Sequence, residues 1–164
     1  MNDTTIQRLA LIHPYVAYSV RRYIFVMQSR SVRIEVSQGL RTWNEQEFYY
    51  CKGRTTPGPR VTDCQPGHSY HNFGLAVDVV PEDLYGTPDW NDQHPVWAMI
   101  HEEALNLGFY CGADFRTAPP DMPHLQMTGK LPPTVTDQVR QEFMEGGLVQ
   151  VWQAAALPEV PQAA

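Results

Sequence analysis

Three short stretches of this sequence hold side chains whose types and spacing suit chemistry. Asp78 sits within Leu75-Ala76-Val77-Asp78-Val79-Val80, a run in which every neighbour favours burial. An ionised carboxylate in such a setting is costly unless it is paired or binds a metal. The first base after it is Arg116 and the nearest before it is Arg60. A metal ion is therefore a natural compensator; a carboxylate that caps a backbone turn or pairs with a distant arginine is the alternative. Upstream lies Gly67-His68-Ser69-Tyr70-His71-Asn72-Phe73-Gly74. Gly74 can turn the chain sharply into the apolar run, so that His71 and Asp78 converge on one point, with His68 as a substitute for His71. The third stretch is Asp121-Met122-Pro123-His124-Leu125-Gln126-Met127, where Pro123 favours extended backbone and His124 and Gln126 alternate with apolar residues. Two neutral imidazoles and one carboxylate, with a position open to water, make up the composition of a catalytic zinc site; a closed structural site takes four protein ligands. Zinc lowers the pKa of its bound water to about 7, and a nearby carboxylate can take the proton. Asp121, three residues before His124, is placed for that role.

Other patterns fall away. His101-Glu102-Glu103 begins like H-E-x-x-H, but position 105 is Leu, so the second ligand is missing and His101 and Glu102 read as surface residues of a helix. His13 and His94 precede prolines and read as turn or cap residues. Cys51, Cys64 and Cys111 form no C-x-x-C, which reads as free thiols, with a Cys51–Cys64 bridge after export as the alternative.

The elements that must position these residues follow from periodicity. Val16, Val20, Tyr23, Ile24 and Met27 recur at helical spacing after Pro14. Val32, Ile34 and Val36 alternate with charged residues as in a half-buried strand that Gly39 ends. Residues 43–51 read as helix, 53–68 as a loop rich in Gly, Pro and Thr, and 75–80 as a buried strand. A helix starts at Pro95 and stops at Gly108, and a last one covers roughly 136–146. The expected fold is a small single α+β domain, a short antiparallel sheet flanked by helices, over residues 1–150. Residues 151–164 form a Pro/Ala-rich tail expected to be mobile.

The 164 residues carry a net charge of -6, unevenly spread: residues 1–60 amount to +5 and residues 61–164 to -11. An acidic total argues against a protein that coats nucleic acid. No stretch approaches the roughly 20 apolar residues of a membrane span, so no membrane insertion is expected. The first five residues do not resemble a secretory signal. The expectation is a monomer made in the cytoplasm without a signal peptide, acting on the cell wall or periplasm after release.

Ser69-Tyr70-His71-Asn72-Phe73-Gly74-Leu75-Ala76-Val77-Asp78 resembles the S-x-H-x-x-G-x-A-x-D motif of a zinc peptidase family, and Asp121 to His124 supplies the D-x-x-H that follows it. This is the family of the VanY-like D-alanyl-D-alanine carboxypeptidases and the L-alanyl-D-glutamate peptidases, whose fold is shared with the hedgehog signalling domain. Ser37-Gln38-Gly39-Leu40-Arg41-Thr42 is similar to the strand end that precedes the motif, and the likeness covers roughly residues 8–130. The loop Lys52-Gly53-Arg54-Thr55-Thr56-Pro57-Gly58 resembles in particular the L-alanyl-D-glutamate endopeptidases of phage endolysins.

The resemblance implies one zinc ion held by His71, Asp78 and His124, with Asp121 as general base. It implies that Arg41 faces the site to hold a substrate carboxylate or the oxyanion, and that Gln38 and Ser69 contact the substrate backbone. A salt bridge for Arg41, and turn or strand-end hydrogen bonds for Gln38 and Ser69, are the structural alternatives. The sequence departs from relatives in having Asp121 where several use Glu, and Cys111 and Phe115 where Trp is frequent. The activity implied is cleavage of the L-Ala–D-Glu bond of the peptidoglycan stem peptide, as in a phage endolysin or a muropeptide-recycling enzyme. A D-Ala–D-Ala carboxypeptidase with the same site, or a zinc-stabilised wall-binding module without turnover, are the alternatives.

Overall fold

The computed structural model describes residues 1–116 and 119–162. Among these residues, five α-helices surround one four-stranded antiparallel sheet with strand order β1-β2-β4-β3. The α+β reading of the sequence therefore holds. Helix α1 (Asp3–Leu9) is capped by Asn2, whose side chain accepts from the Thr5 amide. At seven residues it is too short to leave a periodic signature, and the sequence did not suggest it.

Pro14 occupies the first turn of α2 (Pro14–Ser29), where its missing N–H costs nothing, and the expected stripe from Val16 to Met27 is buried. Each such side chain contributes about 1.5–3 kcal/mol by leaving water. Strand β1 (Arg33–Gln38) pairs with β2 (Ala76–Glu82), and a bulge between Val36 and Gln38 brings Gln38 opposite Asp78. Strand β2 is paired on its other edge with β4 (His124–Gln126), so it is central, which explains why its sequence is nearly all apolar. Strand β3 (Tyr110–Cys111) closes the sheet beside β4. Helix α3 (Trp43–Cys51) starts with a capping box between Thr42 and Glu45. Helix α4 (Val96–Asn106) follows Pro95, packs against α2, and is stopped by Gly108 at positive φ.

The last helix, α5 (Asp137–Ala155), corrects the expected end at residue 146. Gly146 and Gly147 kink it without ending it, and Val151 and Ala155 beyond the kink are fully buried. That part of the expected mobile tail belongs to the core. The uneven charge also finds a physical meaning. Arg30–Glu103 (2.5 Å), Arg33–Glu82 (3.8 Å) and Arg41–Asp78 (3.5 Å) pair a base of the first 60 residues with an acid of the remainder. All three cysteines are free thiols, Cys51 and Cys64 included. Among the described residues, no helix is long and apolar enough to cross a membrane.

Candidate metal centre

The pairing register sets out the site. Asp78 faces Gln38 on one neighbouring strand and His124 on the other, so three polar side chains lie in one row across β1, β2 and β4. His71 joins them from a 3-10 turn (Tyr70–Phe73) that is capped by Ser69 and closed by Gly74 in the left-handed region, with φ 64°. That conformation explains the glycine: it lets the chain pass from the turn into β2 within two residues. Trp152 of α5 donates its indole N–H to the Phe73 carbonyl and braces the turn from behind.

The nitrogens and oxygen converge. His71 Nε2 lies 3.0 Å from Asp78 Oδ1 and 3.1 Å from His124 Nδ1, and Asp78 Oδ1 lies 3.5 Å from His124 Nδ1. Their outer partners fix the tautomers. His71 Nδ1 is 2.9 Å from the Gly39 carbonyl, which can only accept, so Nδ1 carries the hydrogen and Nε2 turns a lone pair inward. Gln126 donates its amide to the Pro133 carbonyl (2.7 Å), which leaves its Oε1 to accept from His124 Nε2 at 3.0 Å. His124 Nδ1 then also turns a lone pair inward. Two lone pairs and a carboxylate oxygen facing one another within hydrogen-bond distance demand a positive charge between them. The set matches zinc in donor type, and each imidazole has the outer hydrogen bond that orients a metal-binding histidine.

The electrostatics express the same demand. Burial works to raise the Asp78 pKa, but the His71 and His124 imidazoles overcome it and hold the carboxyl far below its ordinary range. Burial works to lower the His124 pKa, and Asp78 outweighs it, so the ring is driven toward protonation. These are the responses of a cluster that draws in a cation.

Asp121 lines the same cleft, which encloses about 610 Å³. Its amide donates to the Gly112 carbonyl and its own carbonyl accepts from the His124 amide. A Cβ on Gly112 would stand 2.5 Å from the Asp121 oxygen and 2.7 Å from His124 Cβ, so only glycine permits this approach. Desolvation by the surrounding walls and the negative charge of Asp78 raise the Asp121 pKa, against the pull of His124, His71 and Arg41. A raised pKa suits a carboxylate that must pick up a proton.

Arg41 forms the salt bridge given as its structural alternative, from a place on the cleft wall. Its Nη2 reaches Asp78 Oδ2 at 3.5 Å and Nη1 donates to Gln46 at 3.1 Å, while its buried Nε has no protein partner. Ser69 lines the cleft and caps the 3-10 turn by accepting from the His71 amide, which is the structural alternative given above. Gln38 lines the cleft at the strand end. His68 also lines it, but its ring pairs with the Pro66 carbonyl and lies outside the cluster. His13 caps α2 and His94 closes a turn before α4, as expected, each accepting from an amide two residues on.

His101 is a correction. It is not a free surface residue: it stacks on Trp97 and its Nε2 donates to the Met122 carbonyl at 2.9 Å, pinning the loop between Asp121 and His124. The sequence reading also passed over Gln126, Gln46 and Asn72. Asn72 donates to the Arg41 carbonyl and accepts from the Gly67 amide, tying three segments to the turn. The one local signal was the position of Gln126, two residues past His124 on the polar side of the strand.

Comparison with known proteins agrees with this geometry. A family model described as D-alanyl-D-alanine carboxypeptidase matches residues 63–127. The peptidoglycan L-alanyl-D-glutamate endopeptidase CwlK of Bacillus subtilis is 31% identical over 123 residues, covering 71% of this chain and 73% of CwlK. The fold is similar to the L-Ala D-Glu endopeptidase ChiX of Serratia marcescens, with a TM-score of 0.54, 22% identity, and 90% and 92% of the two chains covered. It is likewise similar to the zinc complex of the D,D-pentapeptidase VanY from a VanB-type resistance cassette, with a TM-score of 0.55, 16% identity, and 85% and 83% covered. With that identity across most of both sequences, and the motif residues converging as a metal-binding cluster, the chain belongs to the VanY-like family of zinc D-alanyl-D-alanine carboxypeptidases and L-alanyl-D-glutamate peptidases.

Proposed function

We propose that this protein is a zinc endopeptidase that cuts the L-Ala–D-Glu bond of the peptidoglycan stem peptide. The observation that carries the reading is the convergence of two inward lone pairs and the Asp78 carboxylate beside Asp121 in an open cleft. His71, Asp78 and His124 would hold one zinc ion. That ion, when bound, supplies Lewis acidity that acidifies a water and polarises the scissile carbonyl. Asp121 takes the proton of the attacking water and passes it to the leaving amine. Desolvation and the negative charge of Asp78 raise the Asp121 pKa, which favours uptake of that proton. Arg41, at the cleft wall, holds Asp78 in place and offers its guanidinium charge to a substrate carboxylate or the oxyanion. Gln38 and Ser69, which line the cleft, contact the substrate backbone. The similarity to CwlK over most of its length supports the choice of bond.

Digestion of purified peptidoglycan, with and without a chelator, tests this. The expected result is a new D-Glu amino terminus that vanishes on chelation and returns with zinc. Release of terminal D-Ala with the L-Ala–D-Glu bond intact would replace the proposal with the carboxypeptidase reading. A lysin role is part of the proposal: expression in a bacterial cytoplasm should lyse cells only when a membrane pore is co-expressed, and lysis without the pore would sink that part.

A further inference from the structure

A second cavity, of about 340 Å³, adjoins the cleft, and Tyr110 and Gln126 line both. Its size falls at the small end of the roughly 300–1,000 Å³ of small-molecule pockets. An aromatic track leads toward it from the metal centre. The Phe115 ring centre lies 5.4 Å from that of His124, and Tyr110 stacks on Phe115 at 5.8 Å with 28° between the planes. Beyond Tyr110 the walls come from Tyr15, Leu107, Thr128 and Leu157, and among the described residues no charged side chain lines the space. The cleft, by contrast, carries Arg41, Arg116, Asp78 and Asp121.

This difference matches the chemistry of the two sides of an L-Ala–D-Glu bond. From D-Glu onward a stem peptide bears carboxylates, which call for cations. On the other side L-Ala is joined through a lactyl group to N-acetylmuramic acid, and that side is uncharged. One residue spans at most about 3.6 Å, so with the L-Ala carbonyl at the metal cluster the sugar begins one residue and one lactyl group away. The neutral cavity adjoins the cleft through Tyr110 and Gln126, and Gln126 is the residue that accepts from His124.

Resting on the proposed bond specificity, we infer that the second cavity is a subsite for the N-acetylmuramyl group of the substrate. Sugar C–H groups pack on aromatic faces, whose electron-rich surfaces attract them, and Tyr15 and Tyr110 offer such surface. The Thr128 hydroxyl donates to the Leu131 carbonyl, so its oxygen is left to accept from a sugar hydroxyl. The acidic half of the peptide then runs toward Arg41.

The test compares two substrates of the zinc-loaded full chain: L-Ala-γ-D-Glu-diaminopimelate, and the same tripeptide carrying N-acetylmuramic acid on its amino terminus. Wild type is expected to show kcat/KM about tenfold higher on the muramyl peptide, carried by KM. Pro158→Trp, which fills the cavity from its exposed rim, and Tyr15→Ala should each lose most of that preference. Because Tyr15 packs against the core, the exposed Pro158 position keeps the test valid if Tyr15→Ala fails to fold. Equal kcat/KM on the two substrates in wild type overturns the subsite, and so does a preference that survives Pro158→Trp. If neither substrate is cut between L-Ala and D-Glu, the bond assignment itself fails and the subsite with it. A wild type that cuts both equally leaves that assignment standing.

Discussion

His71 and His124 present equivalent lone pairs to Asp78, yet the regions behind them are built differently. The His71 ring is oriented by a main-chain carbonyl, that of Gly39, on a turn that is capped by Ser69, tied by Asn72 and braced by Trp152. The His124 ring is oriented by one side-chain amide, Gln126, which is itself held by the Pro133 carbonyl. A backbone acceptor cannot be removed by substitution, whereas a side-chain acceptor can. The first region is therefore secured by the fold, and the second by a single residue and by the loop that His101 pins through Met122.

The largest effect is expected where the two regions meet. Asp78→Ala removes the carboxylate shared by both histidines and leaves Arg41 without its ionic partner. Zinc content by elemental analysis should fall well below one per chain, and peptidase activity to background. Full zinc occupancy in this variant would mean that the two imidazoles suffice and that the shared carboxylate has another purpose.

Asp121→Ala ranks next. It removes a proton acceptor and no inward donor, so kcat should fall by about 10²–10⁴-fold while zinc remains bound. Loss of zinc together with activity would place Asp121 inside the second region's metal-holding structure.

Gln126→Leu tests the asymmetry directly. Loss of the outer partner of a metal-binding histidine typically weakens affinity by about 10–100-fold. Competition against a chelating dye should show that loss, the absorption spectrum of the cobalt-substituted protein should change, and Gln126→Glu should restore much of both, since its carboxylate still accepts from His124. If Gln126→Leu binds zinc as tightly as wild type, the β4 strand alone orients the ring and the contrast with His71 disappears.

The smallest effect concerns the bracing of the first region. His13 caps α2 by accepting from the Tyr15 amide, packs edge-on against Trp152, and its own amide donates to the Gly74 carbonyl. Burial pushes the His13 imidazole below its ordinary value of about 6.5. A depressed histidine favours the neutral folded form, so its contribution is present above about pH 6.5 and lost as pH falls through the folded pKa. Loss of one cap hydrogen bond amounts to about 1 kcal/mol. Thermal melts of wild type should therefore decline slightly more on acidification below pH 6.5 than those of His13→Asn, an uncharged cap. Parallel pH profiles would show that this brace does not titrate.

Much of the molecule was legible in the linear order of residues. Asp78 declared itself as a charge in an apolar run, and the spacing of His71, Asp78 and His124 pointed to a candidate metal cluster whose atoms the fold brings within 4.8 Å of one another. The apolar stripe of α2 and the central strand β2 were equally plain, because burial preferences act over a few neighbouring residues. Features carried by non-repeating segments were not legible. Helix α1 is too short for periodicity, and the last helix was expected to end near residue 146, whereas packing of Val151 and Ala155 carries α5 past that point. His101 looked like surface because its partner, the Met122 carbonyl, is brought to it by the sheet.

The sequence by itself determined which atoms are available to bind a metal and that one carboxylate would be buried without a local counter-charge. The tertiary structure decided how those atoms are aimed. Which nitrogen of each imidazole faces inward depends on a carbonyl 32 residues before His71 and, for His124, on an amide committed to Pro133. That Gln38 stands opposite Asp78 depends on a bulge, and Arg41 reaches Asp78 across 37 residues of sequence. Hydrogen bonding is directional and acts only at contact, so partners distant in sequence, or held through a chain of contacts, are chosen when the chain has folded.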